Sequence, residues 1–207
     1  MPLVYQQNIN EHTRLAIWEI NELEDFFLNE VSVQREIKHP HKRLQHLAGR
    51  LLLKRLFPDF PNEMIKIADT RKPYLENESF HFSISHCGDH AAAIVSTQNR
   101  VGIDIELFSS KAVTVKNKFL GDDEWEIINK NANSVILEIR YCTLLWSIKE
   151  TLFKWAGKGE LDFKKHLHIH SIEADKASCS ISKDNRIEIP IPFTFFEDFV
   201  LTYAVTK

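Results

Sequence analysis

The chain has 207 residues, 43% of them hydrophobic and 27% charged, and a formal net charge of −3. That balance suits a globular protein of one large or two small domains, and it excludes a global positive field of the kind that gathers nucleic acid. Three cysteines (Cys87, Cys142, Cys179), odd in number and without Cys-x-x-Cys spacing, exclude a disulfide framework and a structural zinc site and point to a reducing cytoplasm.

The opening stretch MPLVYQQNINEHTR carries no basic segment followed by an apolar run, so no signal peptide is expected. No run of about eighteen apolar residues predicts a membrane span. Residues 3–20 lack a clear period, although Leu15, Ile17 and Trp18 to Ile20 read as strand. Asn21, followed by Glu22 and Glu24, predicts an N-cap and a helix through Leu23, Phe26 and Phe27. From His41 to Phe57 the sequence HKRLQHLAGRLLLKRLF predicts a helix, stopped by Pro58 and Pro61. Its apolar face is Leu44, Leu47, Ala48, Leu51 and Leu52. Arg43, His46, Arg50 and Lys54 form a basic stripe, either a solvated face or a surface that receives phosphates.

Residues 62–80 read as strand and loop, with a turn at Arg71-Lys72-Pro73-Tyr74. His81 to His86, Ala91 to Val95 and Val101 to Glu106 then predict three strands of an antiparallel meander. Gly121-Asp122-Asp123-Glu124 predicts a helix start with Asp122 as its cap. A long helix follows over about 133–155, ended by Gly157-Lys158-Gly159. The remainder, 160–207, alternates as strands. His166, His168 and His170 fall on one strand face, an exposed polar face or a metal site.

Two segments carry chemistry. In Val101-Gly102-Ile103-Asp104-Ile105-Glu106 the apolar residues take one face and Asp104 and Glu106 the other. About 7 Å separates residues two apart on a strand, so the two carboxylates can converge on one divalent cation or simply line an exposed face. In the long helix, Tyr141, Leu145, Ile148, Leu152 and Trp155 form a core stripe. Thr143, Ser147, Glu150 and Lys154 form a second stripe, in which Glu150 and Lys154 are spaced as an i,i+4 ion pair. Asp104, Glu106 and Glu150 offer three hard oxygen ligands of the kind Mg²⁺ shares with phosphate oxygens. Arg43, His46, Arg50, Lys72, His86, Lys154 and Lys158 offer positive partners for phosphate.

Val101 to Glu106 and Trp146-Ser147-Ile148-Lys149-Glu150-x-x-x-Lys154 resemble the two signature motifs of the 4′-phosphopantetheinyl transferases. Phe82-Ser83-Ile84-Ser85-His86 resembles a third motif of that family, and Arg71-Lys72-Pro73 a fourth. The four stand in the right order, and the chain length resembles the surfactin-synthetase-activating type. The resemblance implies an α+β fold of two pseudo-symmetric halves, residues 1–100 and 101–207, each a small antiparallel sheet packed against a long helix. It implies a monomer with its ligand in the cleft between the halves. The implied reaction moves the 4′-phosphopantetheine arm of coenzyme A to a serine of an apo carrier protein and releases adenosine 3′,5′-bisphosphate.

By the same resemblance Asp104, Glu106 and Glu150 hold Mg²⁺ against the pyrophosphate. Glu150, directly or through a metal-bound water, takes the serine proton, and Lys154 balances charge on the leaving phosphate. Ser85 and His86 contact the phosphates of coenzyme A, Lys72 and Arg71 sit near the adenosine 3′-phosphate, and His46 touches the nucleotide. Two departures stand out: Arg71 replaces a common Gly, and Trp155, read here as core, follows Lys154 where many relatives are polar. Two other readings compete. A Mg²⁺-dependent phosphodiesterase or nuclease would also use an Asp-x-Glu pair with a distant Glu. A non-catalytic carrier-protein or nucleotide-binding module would need none of the carboxylates.

Overall fold

The computed structural model describes residues 2–32, 36–70, 72–157 and 159–207. They form two compact units, Met1–Ile103 with Lys207, and Asp104–Thr206. Each unit is an antiparallel sheet with a long helix, so the α+β class expected from the sequence holds. Among the described residues no helix is long and apolar enough to cross a membrane.

The first unit opens with a hairpin, β1 (Leu3–Asn10) and β2 (Thr13–Glu19). The five-residue α1 (Glu24–Leu28) follows. It is shorter than expected, and Asn21 does not cap it: Leu23 holds the cap position without a side-chain hydrogen bond. The Glu22 carboxylate instead accepts from Trp18 Nε1 at 3.1 Å and Asn21 N at 3.3 Å, fixing the exit from β2. Helix α2 (Pro40–Leu56) agrees with the apolar spacing, with Pro40 in its first turn and Leu47, Ala48, Leu51 and Leu52 fully buried.

A short ladder pairs β3 (Lys66–Ile67) with β4 (Pro73–Tyr74). The hairpin of β5 (His81–Cys87) and β6 (His90–Ser96) completes a sheet of order β1-β2-β6-β5. Ala91 and Ala93 are fully buried on the face of β6 that packs with the leucines of α2. A Cβ on Gly49 would stand 2.8 Å from Ile84 Cγ2, so this turn of α2 tolerates no side chain without displacing Ile84.

Strand β7 (Arg100–Leu107) departs from the expected meander, because the sheet order places it beside β11 in a second sheet, β7-β11-β10-β9-β8. Residues 101–105 are buried whichever face they point to, which suits a covered strand better than the edge of a hairpin meander. The boundary between the two units falls inside this strand. Ile103 N donates to the buried Ser83 Oγ at 3.2 Å, which ties its first half to β5.

The second unit continues with α3 (Ser110–Phe119), α4 (Asp122–Asn131) and α5 (Val135–Ala156), then β8 (Leu167–Ile172), β9 (Lys176–Ile181), β10 (Ile187–Phe195) and β11 (Phe199–Thr206). Gly121, not Asp122, is the N-cap of α4, and its N–H donates to Glu124 Oε2 at 2.7 Å. Ser134 caps α5 through Leu137 N, and Gly157, at φ 62°, ends it in the left-handed conformation. Leu145, Ile148 and Leu152 pack as predicted, and Trp155 is buried, donating from Nε1 to Thr206 Oγ1 at 3.2 Å.

One ion pair organises this unit. The Lys149 ammonium is fully buried and donates to Glu124 Oε2 (2.7 Å), Phe119 O (2.7 Å) and Phe163 O (2.9 Å). Glu124 Oε1 accepts from Ile169 N at 2.9 Å. The end of α3, the start of α4, the loop after α5 and strand β8 therefore all meet on one charge pair. Burial pulls the Lys149 pKa down, and Glu124 works against that shift.

Candidate active site

Period two along β7 sends Asp104 and Glu106 to one face, and period 3.6 along α5 sends Ser147, Glu150 and Lys154 to one stripe. The second unit brings these together. Lys154 Nζ meets Asp104 Oδ1 at 2.6 Å, and Ser147 Oγ donates to Asp104 Oδ2 at 2.8 Å. Asp104 is only 2% exposed. Trp146 Nε1 donates to Glu106 Oε1 at 3.0 Å, and its indole stacks on Phe163 at 5.5 Å. The second stripe of α5 is thus no solvated face: Thr143 and Ser147 are buried, and Lys154 reaches across to β7.

The electrostatics confirm that the three carboxylates share one neighbourhood. Burial, then repulsion from Asp104, raises Glu106 to about 7, with Glu150 adding and Trp146 and Lys154 opposing. Burial and Asp104 also raise Glu150, again opposed by Lys154. Three carboxylates and one ammonium leave the cluster over-supplied with negative charge, which is why the pKa values of Glu106 and Glu150 are raised. Among the described residues, no group of three or more His, Cys, Asp or Glu side chains stands close enough to hold a metal ion as placed. Asp104 is occupied by Lys154 and Ser147, and Glu106 by Trp146.

The first unit holds the other predicted residues. His46 is half-buried on α2, one residue after Gln45, whose Nε2 donates to Gly88 O at 2.7 Å. That bond sets this turn of α2 at the β5–β6 turn, and Ser85 and His86 lie in the last residues of β5 before that turn. Ser85 is buried and His86 exposed, on opposite faces of the strand. Lys72 immediately precedes β4, and burial and the charge of Arg100 lower its pKa to about 8. Arg71 and Lys158 lie outside the described residues.

The basic stripe of α2 is partly engaged within the first unit. Arg43 pairs with Glu24 at 2.6 Å, Arg50 is buried, and Lys54 donates to Glu30 O at 3.3 Å. It mainly fastens α1 and the following loop. The histidines of 166–170 lie apart from the carboxylates. His166 Nδ1 accepts from Asp162 N, while His168 and His170 bond Ser182 and Ser180.

Sequence reasoning missed Arg100, Thr151 and Thr202. Arg100 was signalled by its place at the mouth of the acidic strand. Thr202, in a β-rich tail with no motif, gave no signal at all.

The sequence model of the 4′-phosphopantetheinyl transferase superfamily matches residues 100–204, about half of the chain. An enterobactin synthase component D of Salmonella austin is 32% identical over 114 residues, 55% of this chain and 47% of that one. The 4′-phosphopantetheinyl transferase gsp of Aneurinibacillus migulanus is 29% identical over 158 residues, 73% of this chain and 62% of its own. The 4′-phosphopantetheinyl transferase Sfp of Bacillus subtilis (strain 168) is 27% identical over 126 residues, 60% of this chain and 50% of its own. The matches to this chain thus span about half the length of the curated relatives. The last two agree with the surfactin-synthetase-activating type expected from the motifs. With the matched region running from the acidic strand through α5 to β11, the chain belongs to the 4′-phosphopantetheinyl transferase superfamily.

Proposed function

We propose that the protein transfers 4′-phosphopantetheine from coenzyme A to a serine of an apo carrier protein. The observation that carries this is the meeting of Asp104, Glu106, Glu150 and Lys154 from β7 and α5. Serine oxygen attacks the phosphorus that bears the pantetheine arm, and the bridging P–O bond to the adenosine 5′-phosphate breaks. The serine proton passes, directly or through a bound water, to Glu150, whose raised pKa makes it a stronger base. Charge on the departing adenosine 3′,5′-bisphosphate is met by Lys154, whose side chain is 25% exposed and paired with Asp104. His46, Arg71, Lys72, Ser85 and His86 bind the nucleotide and its phosphates.

Asp104, Glu106 and Glu150 are the residues that would hold Mg²⁺. They fit it in kind: three hard oxygen donors whose mutual repulsion a cation would relieve. When bound, the ion neutralises the pyrophosphate. Trp146 and Phe163 screen the Glu106 side from water.

The protein acts as a monomer in the cytoplasm, without nucleic acid or membrane as partner. Three free, buried thiols and a net charge of −3 are in keeping with this. Intact-mass analysis of a panel of apo carriers incubated with coenzyme A, Mg²⁺ and the protein tests the reading. A phosphopantetheine mass gain on at least one carrier is expected. No gain on any carrier, with hydrolysis of nucleic acid under the same conditions, would overturn it.

A further inference from the structure

We propose that Ser147, Thr151 and Thr202 form a hydroxyl chain that positions Asp104 for a divalent cation; this rests on Asp104 being a cation ligand. All three residues are fully buried, between α5 and β11. Apolar residues of like size would pack there without needing partners, so three hydroxyls in a row call for a reason.

The direction of the chain follows from counting hydrogens. An ionised Asp104 only accepts, so the Ser147 hydrogen points to Oδ2 at 2.8 Å. Ser147 Oγ, its hydrogen committed, accepts from Thr202 Oγ1 at 2.9 Å. Thr202 Oγ1 also lies 3.0 Å from Ser147 O, and Thr151 Oγ1 3.3 Å from Thr202 O. Only with Thr151 as the donor at 2.6 Å does each of the three side-chain contacts hold one of the three hydroxyl hydrogens. The order is Thr151 to Thr202 to Ser147 to Asp104, with the dipoles aligned on the carboxylate. Aligned chains of this kind polarise one another.

Lys154 holds the other oxygen of Asp104 at 2.6 Å. Ser147 and Lys154 are two turns apart on one face of α5, so a single helix grips the carboxylate at both oxygens. The two grips differ in permanence. Lys154 is partly exposed and turns to the leaving phosphate during the reaction, whereas Ser147 is sealed in the core. Once Lys154 lets go, the hydroxyl chain still holds Asp104 Oδ2. These are positioning residues, acting through Asp104.

The test is Mn²⁺ binding to the folded protein without coenzyme A or carrier, followed by the electron paramagnetic resonance signal of free Mn²⁺. Ser147→Ala and Thr202→Val weaken binding by ~10- to 100-fold, the range for losing a partner of a metal ligand. Thr202→Ser keeps the hydroxyl and restores binding to near the parent. Circular dichroism establishes that each variant is folded; should Thr202→Val not fold, Ser147→Ala, in a helix that favours alanine, decides the question. Parent-like Mn²⁺ affinity in folded Ser147→Ala, or a Thr202→Ser protein as weak as Thr202→Val, overturns the proposal. Unchanged Mn²⁺ affinity in Asp104→Ala is a separate result and overturns the reading of Asp104 as a ligand.

Discussion

Replacing Lys149 by Met removes the charge on which four segments of the second unit meet while keeping most of the side-chain volume. Three acceptors lose their donor: Glu124 Oε2, Phe119 O and Phe163 O. Two buried carbonyls left unsatisfied cost about 1–3 kcal/mol each if nothing relaxes. Glu124 is left as a buried charge with only the N–H groups of Gly121 and Ile169. Removing one partner of a buried pair costs about 3–5 kcal/mol in measured cases, and partial relaxation of the carbonyls keeps the sum near the top of that range. Urea unfolding followed by tryptophan fluorescence should show a midpoint lowered accordingly, with little change in slope. Adding Glu124→Met to Lys149→Met should recover more than 1 kcal/mol, since an apolar replacement of both partners removes the orphan charge. A Lys149→Met protein within about 1 kcal/mol of the parent, or a double variant whose loss is the plain sum of the single losses, would refute this account.

Asp104→Ala should abolish phosphopantetheine transfer while the circular dichroism spectrum is preserved; full activity would remove Asp104 from the site. Lys154→Ala should slow transfer severely at saturating coenzyme A, read as a fall in kcat by stopped assays with intact mass, and an unchanged rate would exclude it from the mechanism. Glu106 has its folded pKa raised to about 7 from 4.5, so its contribution to stability is fully present below about 4.5 and is lost as pH rises towards 7. Differential scanning calorimetry should therefore show Tm falling less steeply between pH 5 and 7.5 in Glu106→Gln than in the parent, and parallel curves would contradict the shift. Lys72, with a pKa of about 8, is half protonated at that pH, so an adenosine phosphate bound beside it should draw up to about half a proton from the buffer. Calorimetric titration with coenzyme A in two buffers of different ionisation heat measures this uptake, which Lys72→Met should remove; no uptake by the parent would place Lys72 away from the phosphate.

The two faces of the acidic strand and the two stripes of α5 were legible because each follows from a fixed period. Valine, isoleucine and the intervening acids of 101–106 can alternate in only one way, and Glu150 and Lys154 must share a helix face. What Lys154 does was not legible. Its spacing offered an i,i+4 pair with Glu150, and the structure also brings it to Asp104, 50 residues away in sequence. The meander failed for a related reason: alternation marks β7 as a strand but carries no information about which strand lies beside it. Arg43 and Lys54 looked like phosphate binders because a single sequence shows charge without its partner, here Glu24 and the carbonyl of Glu30. Gly49, unremarkable within a helical run, becomes meaningful only with Ile84 in view.

Strand β11 stands between β7 and β10 in the second sheet, and Thr202 lies 55 residues beyond its hydroxyl partner Ser147. During synthesis, a chain that has emerged as far as α5 already contains every recognisable motif and yet lacks the strand that pairs with β7. Until residues 199–206 arrive, β7 lacks β11, its neighbour in the second sheet, and an unpaired strand invites pairing with other chains. Contacts of such long sequence separation also close late and slowly. Competence to bind and react is therefore expected to appear in a single late step, with the arrival of β11, and translation stalled just before it should yield a polypeptide that needs chaperone protection.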